Sequence, residues 1–206
     1  MASLLRREAE LLGRPLRVLE VGIASGELSR FIGNPAWKGA WHGIDIKATN
    51  ETRALYDHYI EADLDAPLSL TESYDAVVVL HVLEHLINPE YALEGLLRHL
   101  SPQGVLIGGS PTMPAMLARL YEARLRRKYQ HVPVTEHRHL SVLTPSRVRT
   151  FAAEHQLSID LLTGAFLCRA SRSPLEDYSF NMRLNLLWGA LVPSLGGEVY
   201  FALRKT

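Results

Sequence analysis

The chain has 206 residues, 47% of them hydrophobic and 21% charged, which predicts one soluble globular domain over 1–206 and argues against a disordered or fibrous class. The 22 basic residues balance the 22 acidic ones, so no global field attracts nucleic acid or an anionic membrane. The single cysteine, Cys168, excludes an internal disulfide, and the charged N-terminus is unlike a signal peptide; together they favour a cytoplasmic setting.

The first third of the chain alternates helix and strand patterns. Residues 2–12 predict a helix. The apolar run 16–21 predicts a strand that passes through a turn of small residues into a second helix, whose apolar face would hold Leu28, Phe31 and Ile32. A strand–turn–helix unit of this kind places a ligand at the end of a parallel strand.

The same alternation continues to the C-terminus. Further strands are predicted at 41–46, 59–62, 74–80, 105–107, 157–162 and 198–203. A helix is predicted at 50–59, with Asn50 as its N-cap, and two further helices are predicted to begin at Asn88 and Thr144. Because no crossover helix fits between the last two strands, the final strand should run antiparallel. The predicted fold is therefore α/β, with a doubly wound, seven-stranded and mostly parallel sheet.

Two long segments interrupt this pattern, at about 111–143 and 167–197, and are predicted to form a lid over the substrate. Residues 113–129 have apolar side chains at helical spacing and five basic residues, which predicts an amphipathic basic helix. That helix would pack on the domain, contact a membrane surface peripherally, or bind phosphates of a nucleotide-sugar or RNA. The second segment would form a wall of the substrate pocket or a dimer contact; the sequence leaves the oligomeric state open.

The turn after the first strand is the most informative feature. A dinucleotide fingerprint beginning at Gly22 would need glycine at positions 24 and 27, where this chain has Ala24 and Glu27. A glutamate at the start of the helix repels a pyrophosphate, so the turn should hold a nucleoside without a phosphate chain. The stretch from Glu20 to Gly26 resembles motif I of class I S-adenosylmethionine-dependent methyltransferases, with Ala24 at the middle glycine.

The resemblance implies a Rossmann-like methyltransferase fold and a set of cofactor-binding residues. The turn would hold the methionine part, an acid after the second strand the ribose hydroxyls, and an acid after the third strand the adenine amino group. His81, after the fourth strand, would border the same pocket. The implied cofactor-binding residues are Glu20, Gly22, Ala24, Gly26, Asp45, Ile46, Asp63, Leu64 and His81.

Two further elements strengthen the resemblance and indicate where the chemistry takes place. Residues 82–85 match the family's Val-Leu-Glu-His element, and 100–104 match its Leu-x-Pro-Gly-Gly turn. Methyl transfer to a hydroxyl requires a base that removes the proton, and a neutral histidine suits that role. The candidate catalytic residues are His85, His81, Glu84 and His139, with His137 beside the last of them. The alternative for Glu84 and His85 is a polar pair that fixes the loop.

The pattern His81-x-x-Glu84-His85 followed by His139 is also similar to the metal site of small-RNA 2′-O-methyltransferases and to an element of ubiquinone-pathway O-methyltransferases. Imidazole ligands would favour zinc, nickel or iron over magnesium. The favoured expectation is that no metal binds, because histidines near a pocket often only line it. A divalent metal bound by these four residues is the second alternative.

The function predicted from the sequence is S-adenosylmethionine-dependent methyl transfer to a small-molecule acceptor, at a hydroxyl oxygen. One alternative is a catalytically silent cofactor-binding protein that acts as a regulator or partner subunit. The other is an RNA 2′-O-methyltransferase, against which the neutral net charge argues.

Overall fold

A computed structural model of the protein describes residues 1–129, 139–166 and 179–206. The strands are β1 (Leu16–Val21), β2 (Lys38–Asp45), β3 (His58–Glu61), β4 (Tyr74–Leu80), β5 (Leu100–Pro111), β6 (Leu157–Ala165) and β7 (Glu198–Lys205). The helices are α1 (Ala2–Leu12), α2 (Glu27–Ile32), α3 (Asn50–Arg53), α4 (Pro89–Arg98), α5 (Ala115–Tyr129), α6 (Pro145–Glu154) and α7 (Ser179–Leu191). Single 3₁₀ turns occur at Leu83–His85 and Pro193–Leu195.

The seven strands form one sheet in the order β3-β2-β1-β4-β5-β7-β6. All neighbouring pairs are parallel except β5–β7 and β6–β7, which are antiparallel. The prediction of a doubly wound, mostly parallel sheet with an antiparallel last strand is confirmed. Strand order reverses between β1 and β4, and open parallel sheets bind ligands at such a switch point, beyond the carboxyl ends of the strands.

The core lies on both faces of the sheet. The central strand β4 is buried from Tyr74 to Val79, as expected for a parallel strand covered by helices on both sides. Alternate side chains of β4 pack into two apolar layers, with Val77 and Val79 on one face and Ala76 and Val78 on the other. This packing fixes the ends of β1 and β4 relative to each other, so the loops that follow them lie side by side.

Helix ends follow the predicted chemistry at two positions. The Asn88 side chain accepts a hydrogen bond from the Tyr91 amide at the start of α4, and the Thr144 side chain accepts from the Arg147 amide at the start of α6. Both helices have proline in the first turn, where no backbone donor is lost.

Several local predictions were wrong. The helix predicted from 50 to 59 ends at Arg53, with Thr49 rather than Asn50 as its N-cap, because residues 58–61 pair with β2. Phe31 is 79% exposed instead of joining an apolar face, since α2 has fewer than two turns. Sheet pairing extends β5 well beyond the predicted 105–107, to Leu100–Pro111.

The two predicted insertions contain helices α5 and α7. Of the apolar side chains of α5, Ala118 and Leu125 are buried against the domain, whereas Met116 and Leu120 are exposed. Trp188 is 38% exposed on α7. In the part of the chain that the structure describes, no helix is both long and apolar enough to cross a bilayer.

Candidate cofactor and acceptor site

A cleft of about 770 Å³ runs along the carboxyl ends of β3, β2, β1 and β4, which are consecutive in the sheet. Its volume lies within the range of sites that bind cofactor-sized molecules. The loop after each of the four strands contributes to its wall. The lining residues are Gly22, Ala24, Ile44 to Thr49, Arg53, Glu61 to Leu64, His81, Val82, His85 and Leu86.

The turn after β1 adopts a left-handed backbone at three positions: Gly22 (φ 73°), Ala24 (φ 43°) and Gly26 (φ 76°). A Cβ added at Gly22 would lie 2.1 Å from a Val82 methyl carbon, so this glycine permits close approach of the β1 and β4 loops. Ala24, an L-residue, adopts this backbone at a cost in strain, and it lines the cleft.

Asp45 closes the turn against the end of β2. Its Oδ2 accepts a hydrogen bond from the Ala24 amide at 2.9 Å, and its Oδ1 accepts from the Lys47 amide at 3.3 Å. An ionised carboxylate offers about four acceptor positions, so each oxygen retains one for a ribose hydroxyl. The geometry therefore fits the diol-binding role that the resemblance implies, and it gives Asp45 a second role in holding the turn.

The loop after β3 supplies the next wall of the cleft. Asp63 is exposed, and its Oδ1 accepts from the Asp65 amide at 2.9 Å, which fixes the loop in a turn. Leu64 is buried beside it and presents an apolar surface. Ile46, which is 46% exposed, lies on the facing loop. An exposed acceptor carboxylate and two aliphatic side chains on the wall of one cleft fit the adenine-binding role that the resemblance implies.

Two of the predicted cofactor-binding residues do not line the cleft. The Glu20 side chain is buried and accepts a hydrogen bond from Trp41 Nε1 at 2.9 Å. Burial raises the pKa of this carboxyl, and the Trp41 hydrogen bond opposes that effect. Gly26 is the N-cap of α2 and faces the segment that follows α3, where an added Cβ would lie 2.5 Å from a Leu55 methyl carbon. Both residues support the turn, and direct cofactor contact by either stays a prediction.

Replacing Asp45 with alanine should weaken S-adenosylmethionine binding by about 1–3 kcal/mol, because the ribose hydroxyls lose their acceptor. The dissociation constant should rise by roughly 5- to 150-fold. Titration calorimetry measures the change, with Asp57→Ala as the control, since that carboxylate bonds the Trp41 amide away from the cleft. Unchanged affinity in the Asp45 variant would contradict the assignment.

The loop after β4 brings the candidate catalytic residues together. His81 has a left-handed backbone (φ 53°) and lines the cleft, as does His85. A strained backbone at a non-glycine residue is maintained only where the surroundings fix it, and such positions cluster at functional sites. Glu84 lies beneath them with a side chain 2% exposed; its Oε1 lies 3.4 Å from His81 Nδ1.

Glu84 also joins this loop to two distant parts of the chain. Its Oε2 accepts a hydrogen bond from Ser110 Oγ at 3.1 Å, and its backbone carbonyl accepts from the Leu140 and Ser141 amides at 2.6 and 3.1 Å. The Ser141 hydroxyl donates to the Leu83 carbonyl at 2.7 Å. These bonds hold the segment after residue 138 against the end of β4.

That segment places His139 beside the loop, with its ring centre 5.1 Å from the ring centre of His85 in an edge-to-face arrangement. The structure thus gathers His81, Glu84, His85 and His139 at one end of the cleft, although His139 itself does not line it. His137 lies outside the described residues. Ser110 was missed by the sequence analysis, because no local pattern links the end of β5 to Glu84.

Burial and charge set the protonation of this cluster. Burial raises the pKa of Glu84. The hydrogen bond to His81 and the nearby imidazoles lower it by a larger amount, so the net pKa lies below the usual range. Burial lowers the pKa of His139, which keeps this imidazole neutral at pH 7. The cluster therefore combines the ionised carboxylate of Glu84 with a neutral imidazole at His139.

A divalent ion would be held by Glu84, His85 and His139, whose ligand atoms all lie within 4.8 Å of one another. Carboxylate and imidazole are suitable ligands for zinc, and such an ion would lower the pKa of a bound hydroxyl. The two Glu84 oxygens, however, already lie against Ser110 and His81. The same three side chains thus suit either an ion or a hydrogen-bonded network.

We expect the network. Protein purified without added ions should contain less than one equivalent of transition metal by elemental analysis, and its methyl transfer should not change after chelation. Loss of transfer on chelation that zinc restores would contradict this prediction and assign a metal to the cluster. Glu84→Gln serves as the matched variant, because the amide removes the ligand charge without changing the side-chain volume.

Comparisons with known proteins agree with this architecture. The family described as "Methyltransferase domain" matches residues 1–161. No curated protein matches the chain. Similar solved structures include a candidate sarcosine dimethylglycine methyltransferase from Galdieria sulphuraria, with 14% identity and a TM-score of 0.67, covering 100% of this chain and 85% of the other.

Two further structures have the same fold. The N-methyltransferase NodS from Bradyrhizobium japonicum WM9, in complex with S-adenosyl-L-homocysteine, is 16% identical, with a TM-score of 0.58 and coverage of 99% of this chain and 85% of its own. An S-adenosylmethionine-dependent methyltransferase from Thermotoga maritima is 15% identical, with a TM-score of 0.59 and coverage of 98% and 89%. At these identities the likeness concerns the fold, and the choice of acceptor is not transferred.

Proposed function

The chain belongs to the methyltransferase-domain family and is an S-adenosylmethionine-dependent methyltransferase, and from this premise we propose that its acceptor is a small molecule methylated at a hydroxyl oxygen. One observation carries the proposal. Two histidines line the end of the cofactor cleft, above a buried carboxylate that contacts one of them. A hydroxyl must lose its proton to become a good nucleophile, and this cluster offers the base.

Bound S-adenosylmethionine supplies a methyl group on a positively charged sulfur, ready for in-line displacement. The chain has to orient the acceptor and take its proton. We assign proton removal to His85, which lines the cleft and is half-buried. His81 is the second candidate base on the same wall.

Glu84 and His139 position the two histidines that line the cleft. Glu84 holds His81 by its Nδ1 atom, which leaves the other ring nitrogen directed away from the carboxylate. His139 packs its ring against His85 and limits the rotation of that ring. In this scheme the negative charge of Glu84, which lies within 4.8 Å of a ring nitrogen of His85, stabilises the imidazolium that forms on His85.

We propose that residues 1–206 act as a single methyltransferase domain, with the segments 111–143 and 167–197 as the walls of an acceptor lid. Within them, α5 and α7 both extend from the edge of the sheet where the cleft opens. A cytoplasmic setting suits the lone cysteine.

The test is label transfer from methyl-labelled S-adenosylmethionine to a panel of catechols, phenols, sugars, primary amines and carbon acids. We expect label on hydroxylated acceptors, with mass spectrometry of the product placing the methyl group on oxygen. Label on nitrogen or carbon alone would contradict the proposed acceptor atom. Cofactor binding without transfer to any acceptor would favour the silent regulator.

The RNA alternative has its own test. The described part of α5 carries exposed Arg119, Arg124 and Arg127, which offers phosphate contacts. If RNA were the acceptor, its affinity would fall steeply between low and physiological salt. We expect only weak binding of a short RNA, without label transfer.

A further inference from the structure

Helix α7 packs on the sheet with its polar side inward. Asn181, Asn185 and Gly189 recur every four residues on the face toward the protein, where they are half-buried or buried. An added Cβ at Gly189 would lie 2.5 Å from the Ala165 Cα, so the helix backbone rests directly on the end of β6. The inner face of α7 therefore buries little apolar surface.

The outer face of α7 is apolar. Phe180, Leu184, Leu187 and Leu191 follow at helical spacing and are 75%, 55%, 56% and 72% exposed. Met182, Leu186 and Trp188 are each more than one third exposed beside them. Scattered exposed leucines are common, but a contiguous apolar helix face marks an interaction surface.

The charged residues of α7 and α5 indicate what kind of partner the outer face of α7 would meet. Over the whole of α7 the only charged residue is Arg183. On α5, the exposed side chains of Met116, Leu117, Leu120 and Tyr121 are followed by exposed Arg124, Arg127 and Lys128. The only acid of α5, Glu122, points inward, where it accepts from the Val142 amide and from Arg147.

Both helices leave the same edge of the sheet. Glu198, the first residue of β7, pairs with Pro111 at the end of β5 and with Ala165 at the end of β6. Helix α5 follows β5, and α7 packs on the end of β6. Apolar side chains and exposed cations are thus combined at the edge where the cleft opens, which is the pattern of an interfacial helix pair on anionic lipid.

We propose that the outer faces of α5 and α7 dock this protein on an anionic phospholipid membrane, with the apolar residues of α7 inserted among the lipids and the cations of α5 at the headgroups. A second copy of the chain suits the surface less well, because a two-fold contact would oppose the cations of α5 to themselves. The proposal concerns binding alone and does not depend on the acceptor assigned above.

The experiment is sedimentation of the full chain with phosphatidylcholine vesicles, with or without about one third phosphatidylglycerol. We expect binding to the anionic vesicles, weaker binding to the neutral ones, and weakening by salt, since exposed charges are screened. Trp188 should show a blue shift of fluorescence on binding that the variant Trp188→Phe lacks. Failure to bind anionic vesicles would overturn the proposal whatever the methyl transfer assay gives.

Two double variants distinguish binding through α7 from non-specific binding through any exposed apolar side chain. Leu187→Ser with Leu191→Ser should lower vesicle binding about tenfold or more, because the inserted apolar area is lost. Leu11→Ser with Phe31→Ser removes two apolar side chains from α1 and α2 that are at least as exposed on average as the α7 pair, and it should leave binding within about twofold. Equal losses in the two variants would contradict the assignment.

Size-exclusion chromatography tests whether a second copy of the chain covers the outer face of α7 instead of a membrane. We expect the wild-type chain and the α7 variant to elute alike and to have the same circular dichroism spectrum. A wild-type dimer that the α7 variant converts to monomers, without vesicle binding, would assign the surface to a second copy. An α7 variant that unfolds would show that another part of the chain covers the face, which would also overturn the proposal.

Discussion

Replacement of His85 with alanine is expected to lower kcat by about 10²- to 10⁴-fold, the usual contribution of a general base. His85 lines the cleft at the end of β4, next to the imidazole of His139 and the loop that holds Glu84. The dissociation constant for S-adenosylmethionine should change little, because the proposed ribose and adenine contacts come from other loops. Single-turnover methyl transfer and calorimetry measure the two quantities separately.

The matched control is His58→Ala. His58 is exposed at the amino end of β3, at the edge of the sheet opposite the cleft, and its replacement should leave both quantities unchanged. His81→Ala tests the second candidate base by the same assays. If His85→Ala keeps full turnover while His81→Ala loses it, the base is His81, and retention of turnover in both would remove the imidazoles from the chemistry.

Substitution of Gly22 by alanine is expected to lower the stability of the fold strongly. The new methyl carbon would lie 2.1 Å from a Val82 methyl carbon, at a backbone φ of 73° that L-residues rarely adopt. Overpacking and left-handed strain together should cost about 2–5 kcal/mol of the free energy of unfolding. Urea denaturation measures this loss, and cofactor affinity should fall with it, because both Gly22 and Val82 line the cleft.

A second substitution separates the two causes. Gly22→Ala combined with Val82→Ala removes the clash but keeps the strain, so it should recover more than half of the lost stability and differ measurably from the single variant. Ala24→Gly, two residues along the same turn, should be neutral or stabilising by about 1 kcal/mol, because it relieves an existing left-handed alanine. A Gly22→Ala variant as stable as wild type would show that the turn does not need glycine for packing.

Much of the fold and of the cofactor cleft could be predicted from the sequence, because these features depend on residues that are close together in the chain. The β-branched run of β4, the caps Asn88 and Thr144, and the turn from Gly22 to Gly26 each depend on residues close together in the chain. In a parallel sheet the residue after each strand necessarily lies at the carboxyl edge. Asp45 and Asp63 therefore line one cleft once the strand order is fixed.

Residue roles within that framework were less predictable. Glu20 belongs to the turn by sequence, yet its carboxylate is buried against Trp41, a partner 21 residues away on β2. Ser110 and Glu84 are 26 residues apart and meet only because β4 and β5 are paired. Phe31 has the spacing of a core residue but lies on a helix too short to turn it inward.

The sequence by itself determined the alternation of elements, the turn chemistry after β1 and the acids that follow two strands, because these depend on local propensity and on the two-residue and 3.6-residue periods. Only the tertiary structure decided that His139 lies against His85, that Glu84 is buried beneath the histidines, and that α7 turns its asparagines inward and its leucines outward. Periodicity defines the faces of a helix but not the surface each one meets, and contacts between distant segments depend on how strands pair and helices pack.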